Sequence, residues 1–340
     1  MRSRVRTILV VSVALALIAL FLYNVDLWGV LAAIAAARPE WLALSLATMF
    51  LNLSIRALRW KYLLEPLAPT TFASAFRATA VGFAASAVLP ARAGEVIRPY
   101  FLARQAPTDQ QGRMTATGAF ATIILERLLD VVTVLLMLAS LVFVFGKDLA
   151  GVNPTGFALL KWAGASAAIV SITALVVLFL LAGDPERLGR TMARLEKVLP
   201  SKLAGLMASV AEKFARGLGA IRRPGRLLVA LAWSLPLWLC IALGIWSMAM
   251  AFHFAIPFTG SFLMIALLTL GVAVPTPGAV GGFHEAYRIG ATGFFGADND
   301  IAVGAAIVLH AISVGPVIIV GLLFIVQDGL KLGGMARGEI

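Results

Sequence analysis

The chain has 340 residues, of which 61% are hydrophobic and 13% are charged. Soluble domains have about 45–50% apolar and about 25% charged residues, so this composition excludes an ordinary soluble protein and predicts a polytopic membrane protein. The net charge of +11 does not indicate nucleic-acid binding, because the basic residues fall in short segments between apolar runs, where they orient membrane spans. The single cysteine, Cys240, excludes an intrachain disulfide and a cysteine-rich metal site.

Two spans are predicted at the start of the chain. The apolar run at residues 8–23 follows three arginines, which predicts a retained first span with a cytoplasmic N-terminus; a cleaved signal peptide begins in the same way. The second span covers about residues 41–58 and ends in a basic cluster with a tryptophan, which is typical of an interfacial anchor. This cluster, which alternatively holds a lipid phosphate, comprises Arg56, Arg59, Trp60 and Lys61.

A broken helical hairpin is predicted over about residues 73–104. Its apolar run at residues 76–89 ends at Pro90 and is too short to cross a bilayer, which needs about 20 residues of helix. A helix broken at membrane depth is tolerated where it packs in protein or lines a watery cavity. Free N–H groups at a helix start, together with two arginines, suit a phosphate head group, although both arginines alternatively snorkel to the interface. The candidate substrate-binding residues are Arg92, Gly94, Glu95 and Arg98.

Span three, over about residues 117–145, carries the charged candidates Glu126, Arg127 and Asp130. A charge at mid-bilayer costs about 2.5–3.5 kcal/mol, so we expect these side chains to face protein or water. Arg127 and Asp130 are three residues apart and can pair along the helix as a structural lock. Alternatively, Glu126 and Asp130 orient the arginines of the hairpin.

A basic segment separates the two halves of the chain. Span four is predicted over about residues 158–181 and span five over about residues 227–251. Residues 185–226, between them, hold too many charges to insert. Their apolar residues recur at three- and four-residue spacing, which predicts an amphipathic helix on the membrane surface or packed beneath the spans.

A second broken hairpin is predicted over about residues 259–296, because the apolar run at residues 262–274 ends in prolines and glycines. Glycines let a ligand approach the backbone closely. Its candidate substrate-binding residues are Pro275, Pro277, Gly278, Gly281, Gly282, His284 and Glu285. Glu285 is also a candidate for proton exchange. The three histidines show no metal-ligand spacing, so we predict no metal and no cofactor.

Span six, over about residues 301–326, completes an all-α polytopic membrane fold with six full spans and two broken re-entrant helical hairpins. The excess of Lys and Arg on one side places both termini in the cytoplasm. An odd number of spans separates the hairpins, which makes them inverted repeats, the plan of many secondary transporters. Repeat one covers about residues 1–112 and repeat two about residues 227–330 of a single transmembrane domain, residues 1–340.

Four motifs resemble, in the same order, those of the flippase-like family, also called the lysylphosphatidylglycerol synthase transmembrane region family. They are RALRW at 56–60, VLPARAGEVIRPYFL at 88–102, LERLLD at 125–130 and PTPGAVGGFHEA at 275–286. The last motif has Ala279 where the family often has glycine. The resemblance implies a bacterial inner-membrane protein that moves a lipid between leaflets. Because the chain ends shortly after span six, without the catalytic domain of the synthases, we expect no enzyme activity.

The leading hypothesis is a flippase or scramblase for an anionic, glycosylated or polyprenyl-linked lipid. We expect Arg92, Arg98 and Arg127 to bind phosphate in a cavity between the hairpins, and the carboxylates Glu126, Asp130 and Glu285 to tune or proton-couple the site. The alternatives are a small-solute or ion secondary transporter, a membrane enzyme, for which no nucleophile or metal cluster is found, and a non-transporting scaffold. A lipid-modifying enzyme or glycosyltransferase would be the partner of such a scaffold.

Overall fold

A computed structural model describes residues 25–89, 93–105, 114–144, 224–274 and 276–328, with isolated positions in 12–22 and 158–176. These continuous ranges contain nine α-helices and no strand, so the all-α prediction is confirmed for them. The helices are α1 (Leu27–Ala35), α2 (Pro39–Leu64), α3 (Phe72–Val88), α4 (Gly94–Gln105), α5 (Ala116–Val144), α6 (Pro224–Ala251), α7 (Gly260–Ala273), α8 (Gly282–Phe295) and α9 (Asn299–Gln327).

Three of these helices, α2, α6 and α9, are long and apolar enough to cross a membrane. Helix α5 is as long as α9, with 29 residues, but carries the charged LERLLD motif. Helices α5, α6 and α9 agree with predicted spans three, five and six to within three residues, and α2 contains predicted span two but continues six residues beyond its predicted end. Predicted spans one and four and the amphipathic segment up to residue 223 fall almost wholly outside the described ranges, so six spans stay a prediction.

Local signals fix where several helices begin. The side chain of Asp26 accepts from the backbone N–H of Trp28 at the start of α1, and that of Thr71 accepts from Ser74 at the start of α3. Asp298 does the same for the first turn of α9. Each cap satisfies an N–H group that has no partner within its own helix.

Two helical hairpins are present where the sequence predicts them, α3–α4 and α7–α8. Each is closed by a contact between two glycine backbones. A Cβ added to Gly94 would overlap the carbonyl of Gly82, and one added to Gly282 would overlap the carbonyl of Gly271. Only glycine lets two helix backbones approach this closely.

The helices α2–α5 and the helices α6–α9 form two halves of the described structure that pack in equivalent ways. Helices α2 and α6, which each precede a hairpin, pack against one another. Helix α3 packs on α9 and α7 packs on α5, so the first helix of each hairpin contacts the helix that follows the other hairpin. Exchanging α2–α5 with α6–α9 therefore leaves the packing scheme unchanged.

The buried apolar residues of the described ranges form one large and two small cores. The large core includes Leu263 of α7, Tyr287 of α8 and Val303 of α9. One small core lies among α2, α3, α4, α5 and the end of α9, around Trp60, and the other joins α2, α5 and α6 around Leu125. Several charged residues of α2, α4 and α5 are buried next to these small cores.

Candidate functional site

Five buried charged side chains from three helices form a network. Helix α2 supplies Arg56 and Arg59, α4 supplies Arg98, and α5 supplies Glu126 and Asp130; none is more than 6% exposed. The spacings are three residues on α2 and four on α5, which puts each pair on one face of its helix. The two charged faces meet inside the protein.

Arg59 links both carboxylates of α5. Its Nη1 lies 2.8 Å from Asp130 Oδ1, and its Nη2 lies 3.3 Å from Glu126 Oε1. Its Nη1 also donates to the hydroxyl of Ser234 on α6, at 2.6 Å. Arg56 Nη1 lies 3.3 Å from the other oxygen of Asp130. A buried charge is tolerated in a protein when it is paired. The arginines of α2 therefore explain how α5 carries two carboxylates in apolar surroundings.

Arg98 joins the network from the first hairpin. Its Nη1 donates to Glu126 Oε2 at 2.8 Å, and its guanidinium carbon lies 3.7 Å from the centre of the Trp60 ring. Its Nε and Nη2 are buried and have no hydrogen-bond partner among the described residues. These two N–H groups share one edge of the guanidinium plane, and such an edge binds two oxygens of a phosphate or carboxylate in parallel.

Arg127 lies at the edge of the network, with about a third of its side chain exposed. Its Nη1 is 3.3 Å from Asp130 Oδ2, so the predicted pairing along α5 is present. Its Nε is 3.1 Å from Glu95 Oε1, which connects α5 to the start of α4. With this pair the network holds four arginines and three carboxylates in the described part of the chain, an excess of positive charge.

A cavity of about 320 Å³ lies between the two hairpins, and several residues of the network form part of its wall. Three arginines, Arg56, Arg98 and Arg127, line it, and Glu95 is the one carboxylate in the described part of its wall. The other lining residues are mostly apolar and come from both halves of the chain. They include Leu53, Phe83, Ile123, Val272 and Val314. The cavity therefore combines a cationic wall with an apolar one.

The predicted substrate-binding residues fall into three groups. Those that lie in the network or line the cavity are Gly94, Glu95, Arg98, Glu126, Arg127, Asp130 and Gly278. Arg92 and Pro275 lie outside the described residues, and only the backbone of Pro277 is described. This backbone belongs to a short 3-10 turn, Pro277–Ala279, that connects the two helices of the second hairpin.

The remaining candidates of the second hairpin do not line the cavity. Glu285 makes a two-armed ion pair with Arg288, at 2.6 and 2.9 Å. The Nδ1 atom of His284 accepts from the backbone N–H of Gly281, at 3.3 Å, ahead of α8. Gly282 forms the backbone contact that closes the hairpin. These residues shape the hairpin and its break.

The structure brings together two histidines that are far apart in the sequence. The rings of His284 and His310 lie 4.5 Å apart, centre to centre. His310 Nε2 lies 2.7 Å from the carbonyl oxygen of Gly278, which ties α9 to the turn that lines the cavity. In the described part of the chain no group of three or more potential metal ligands is found.

The basic cluster of α2 departs from the predicted interfacial anchor. Arg56, Arg59 and Trp60 are buried against α4 and α5, and only Lys61 is half-buried. The reason is that the carboxylates of α5 compensate the charges of the two arginines inside the protein, so their side chains do not extend to the membrane interface. The sequence signal for this pairing is that the two arginines of α2 and the two carboxylates of α5 each lie on one face of their helix, at spacings of three and four residues. No sequence signal marks Ser234 as a partner of Arg59.

A family described as Lysylphosphatidylglycerol synthase TM region matches residues 7–321, nearly the whole chain. No functionally curated protein matches the chain. The apolar helices and the match to a transmembrane family make this a membrane protein. The chain belongs to the lysylphosphatidylglycerol synthase TM region family.

Proposed function

We propose that this protein is a flippase or scramblase that moves a lipid with an anionic head group between the leaflets of a bacterial inner membrane. One observation carries the proposal: the cavity between the hairpins is lined by three arginines, and one of them, Arg98, holds two buried N–H groups with no partner among the described residues. Unpaired buried donors are costly unless a ligand satisfies them. The family's name, which refers to a phospholipid synthase, supports a lipid substrate.

The size of the cavity supports entry of a head group without its tails. A cavity of about 320 Å³ falls at the lower end of the range of about 300–1,000 Å³ that small-molecule pockets span. This is room for a phosphate and a small substituent. Acyl chains stay in the bilayer, and the apolar wall contacts the part of the lipid next to the phosphate.

The charges of the network support an anion over a cation. A phosphate in the cavity lies beside Arg56, Arg98 and Arg127, and it reaches the buried Nε–Nη2 edge of Arg98 once the lining of the cavity opens. Glu126 and Asp130 each contact arginines of two different helices. The two carboxylates therefore fix the positions of the arginines that line the cavity. One anionic head group brings the described network of four arginines and three carboxylates towards neutrality.

The membrane architecture that we propose has six spans, two re-entrant hairpins in inverted repeat and cytoplasmic termini. The equivalent packing of α2–α5 and α6–α9 and the Gly–Gly contact in each hairpin support the repeat. Since the cationic wall comes from one half and α7, α9 and the Pro277–Ala279 turn come from the other, rocking one half against the other would open the cavity to either leaflet. The protein then acts as a transporter and not as an enzyme.

Reconstitution into liposomes tests the proposal. Fluorescent phosphatidylglycerol and phosphatidylcholine report transfer through loss of protection from a membrane-impermeant quencher. We expect the wild type to move the anionic lipid faster, and Arg98→Lys, which keeps the charge but loses the two-armed edge, to slow it by about tenfold or more. The matched control is Arg104→Lys, on the exposed end of the same helix, which should transport like the wild type.

Four results would overturn the proposal. Transport by Arg98→Lys at the wild-type rate would show that the lipid does not bind at Arg98 in the cavity. Equal rates for the two lipids would remove the anion preference. Ion-gradient-driven solute uptake without lipid transfer would indicate a solute transporter, and the absence of both would indicate a scaffold.

A further inference from the structure

We infer that Trp60 is a positioning residue that holds the guanidinium plane of Arg98 so that its free edge meets the anion. The inference rests on the proposed function, because it takes the anion bound at Arg98 as given. The geometry that carries it is the stacking of the guanidinium carbon of Arg98 at 3.7 Å from the centre of the Trp60 ring. Trp60 is fully buried and is not among the residues that line the cavity. It therefore acts through Arg98 and does not touch the lipid.

The Trp60 ring is itself held in place. Its Nε1–H donates to the hydroxyl of Thr122 on α5, at 2.9 Å. That hydroxyl donates in turn to the backbone carbonyl of Ala119, at 2.7 Å. A ring that is buried on all sides and bonded at its only polar atom presents a fixed face to the arginine.

Two contacts together define the position of the guanidinium of Arg98. The Trp60 face restricts the tilt of its plane, and the hydrogen bond from Nη1 to Glu126 restricts rotation within that plane. The Nε–Nη2 edge is the part that neither contact uses. Ordering a long side chain before the ligand arrives lowers the entropy cost of binding. The contact with the Trp60 ring also offsets part of the free-energy cost of removing the charge of Arg98 from water.

Trp60 differs from Trp246 in what its ring contacts. Trp246 on α6 also donates its Nε1–H, to the carbonyl of Ile256 at 3.2 Å, and makes edge contacts with Trp41 and Phe258. Its ring contacts are aromatic, whereas Trp60 stacks on an arginine. Trp246→Leu is therefore a control that removes similar volume and one indole hydrogen bond outside the anion site.

Binding to the purified full-length protein in mild detergent tests the inference. The probe is dihexanoylphosphatidylglycerol, with dihexanoylphosphatidylcholine as the zwitterionic reference and inorganic phosphate as the lipid-free anion. We expect Trp60→Leu to raise the Kd of the anionic lipid about tenfold, because the side chain of Arg98 then has to be ordered when the lipid binds. Trp60→Phe, which keeps an aromatic face, should stay within about threefold of the wild type. Trp246→Leu should bind like the wild type.

A double-mutant cycle separates positioning from general stability. If Trp60 acts through Arg98, Trp60→Leu should have no further effect in an Arg98→Gln background, because the residue that it positions is gone. The same loss in both backgrounds, or equal losses for Trp60→Leu and Trp60→Phe, would indicate a structural role and overturn the inference.

The proposed function and this inference fail in different ways. A wild type that does not distinguish the anionic from the zwitterionic lipid contradicts the proposed function. A wild type that does so, with Arg98→Gln impaired and Trp60→Leu unaffected, overturns only the role of Trp60. Binding of inorganic phosphate as tight as that of the lipid would make the site a phosphate site and reject the lipid as its ligand.

Discussion

Asp130 shows how a single side chain joins three helices. Its Oδ1 lies 2.8 Å from Arg59 and accepts from the Nε1–H of Trp238 on α6, at 3.1 Å. Its Oδ2 lies 3.3 Å from both Arg56 and Arg127. Removing this charge leaves buried guanidinium groups without compensation, which costs more than the loss of a surface pair.

We predict that Asp130→Asn destabilises the protein. The amide keeps the shape but not the charge, so we expect a loss of about 3–5 kcal/mol, the usual cost of breaking a buried ion pair. Thermal unfolding of the purified protein measures it as a lower Tm. The control is Glu65→Gln, which removes the partner of Arg226 in a more exposed pair and should cost less than about 1 kcal/mol. Equal Tm shifts for the two variants would contradict the prediction.

At the scale of helices, the hairpins depend on the contact of two glycine backbones. Gly94 is the first residue of α4, and Arg98 lies one turn further along the same helix. A Cβ added at Gly82 would also come within 2.7 Å of the Cβ of Arg98. The closure of the first hairpin and the position of its arginine are therefore set by the same contact.

We therefore predict that Gly94→Ala displaces α4 from α3 and moves Arg98 out of register with Glu126. Overpacking of this kind costs about 1–3 kcal/mol, and we expect anionic lipid transfer to fall about tenfold because the anion edge moves. Transfer in liposomes and Tm are both measured. Gly293→Ala, on α8, is the control, because a Cβ there meets no atom within 4 Å and alanine favours a helix. Wild-type transfer by Gly94→Ala would show that the glycine contact does not position the site.

The helices were easier to predict from the sequence than the contacts between them. Short apolar runs that end at Pro90 or in the prolines and glycines after residue 274 predict both hairpins, because helix length and Pro/Gly breaks are local signals. The burial of Arg56 could not be read locally, since its partner Asp130 is 74 positions away. The same is true of the contact between His284 and His310, which forms only when α8 and α9 pack together.

At the scale of the whole molecule, the two halves meet at the ends of their hairpin breaks. Gly278, in the turn of the second hairpin, lies next to Ala87 near the end of α3, where an added Cβ would be 3.3 Å from the Ala87 carbonyl oxygen. Both residues line the cavity. A rocking motion that exposes the cavity to one leaflet has to separate this contact or shift it, because it joins one half to the other.

The last prediction is that fixing this contact stops transport. Ala87→Cys combined with Ala279→Cys, in a Cys240→Ser background, places one thiol on each half, and both parent residues line the cavity. Oxidation or a short bismaleimide should join the halves and abolish lipid transfer. Reduction of the disulfide should restore transfer, and each single variant under the same oxidant should transport at its untreated rate. Undiminished transfer by fully cross-linked protein would show that the two halves do not move at this contact. The lipid would then cross without the rocking motion that the equivalent packing of α2–α5 and α6–α9 supports.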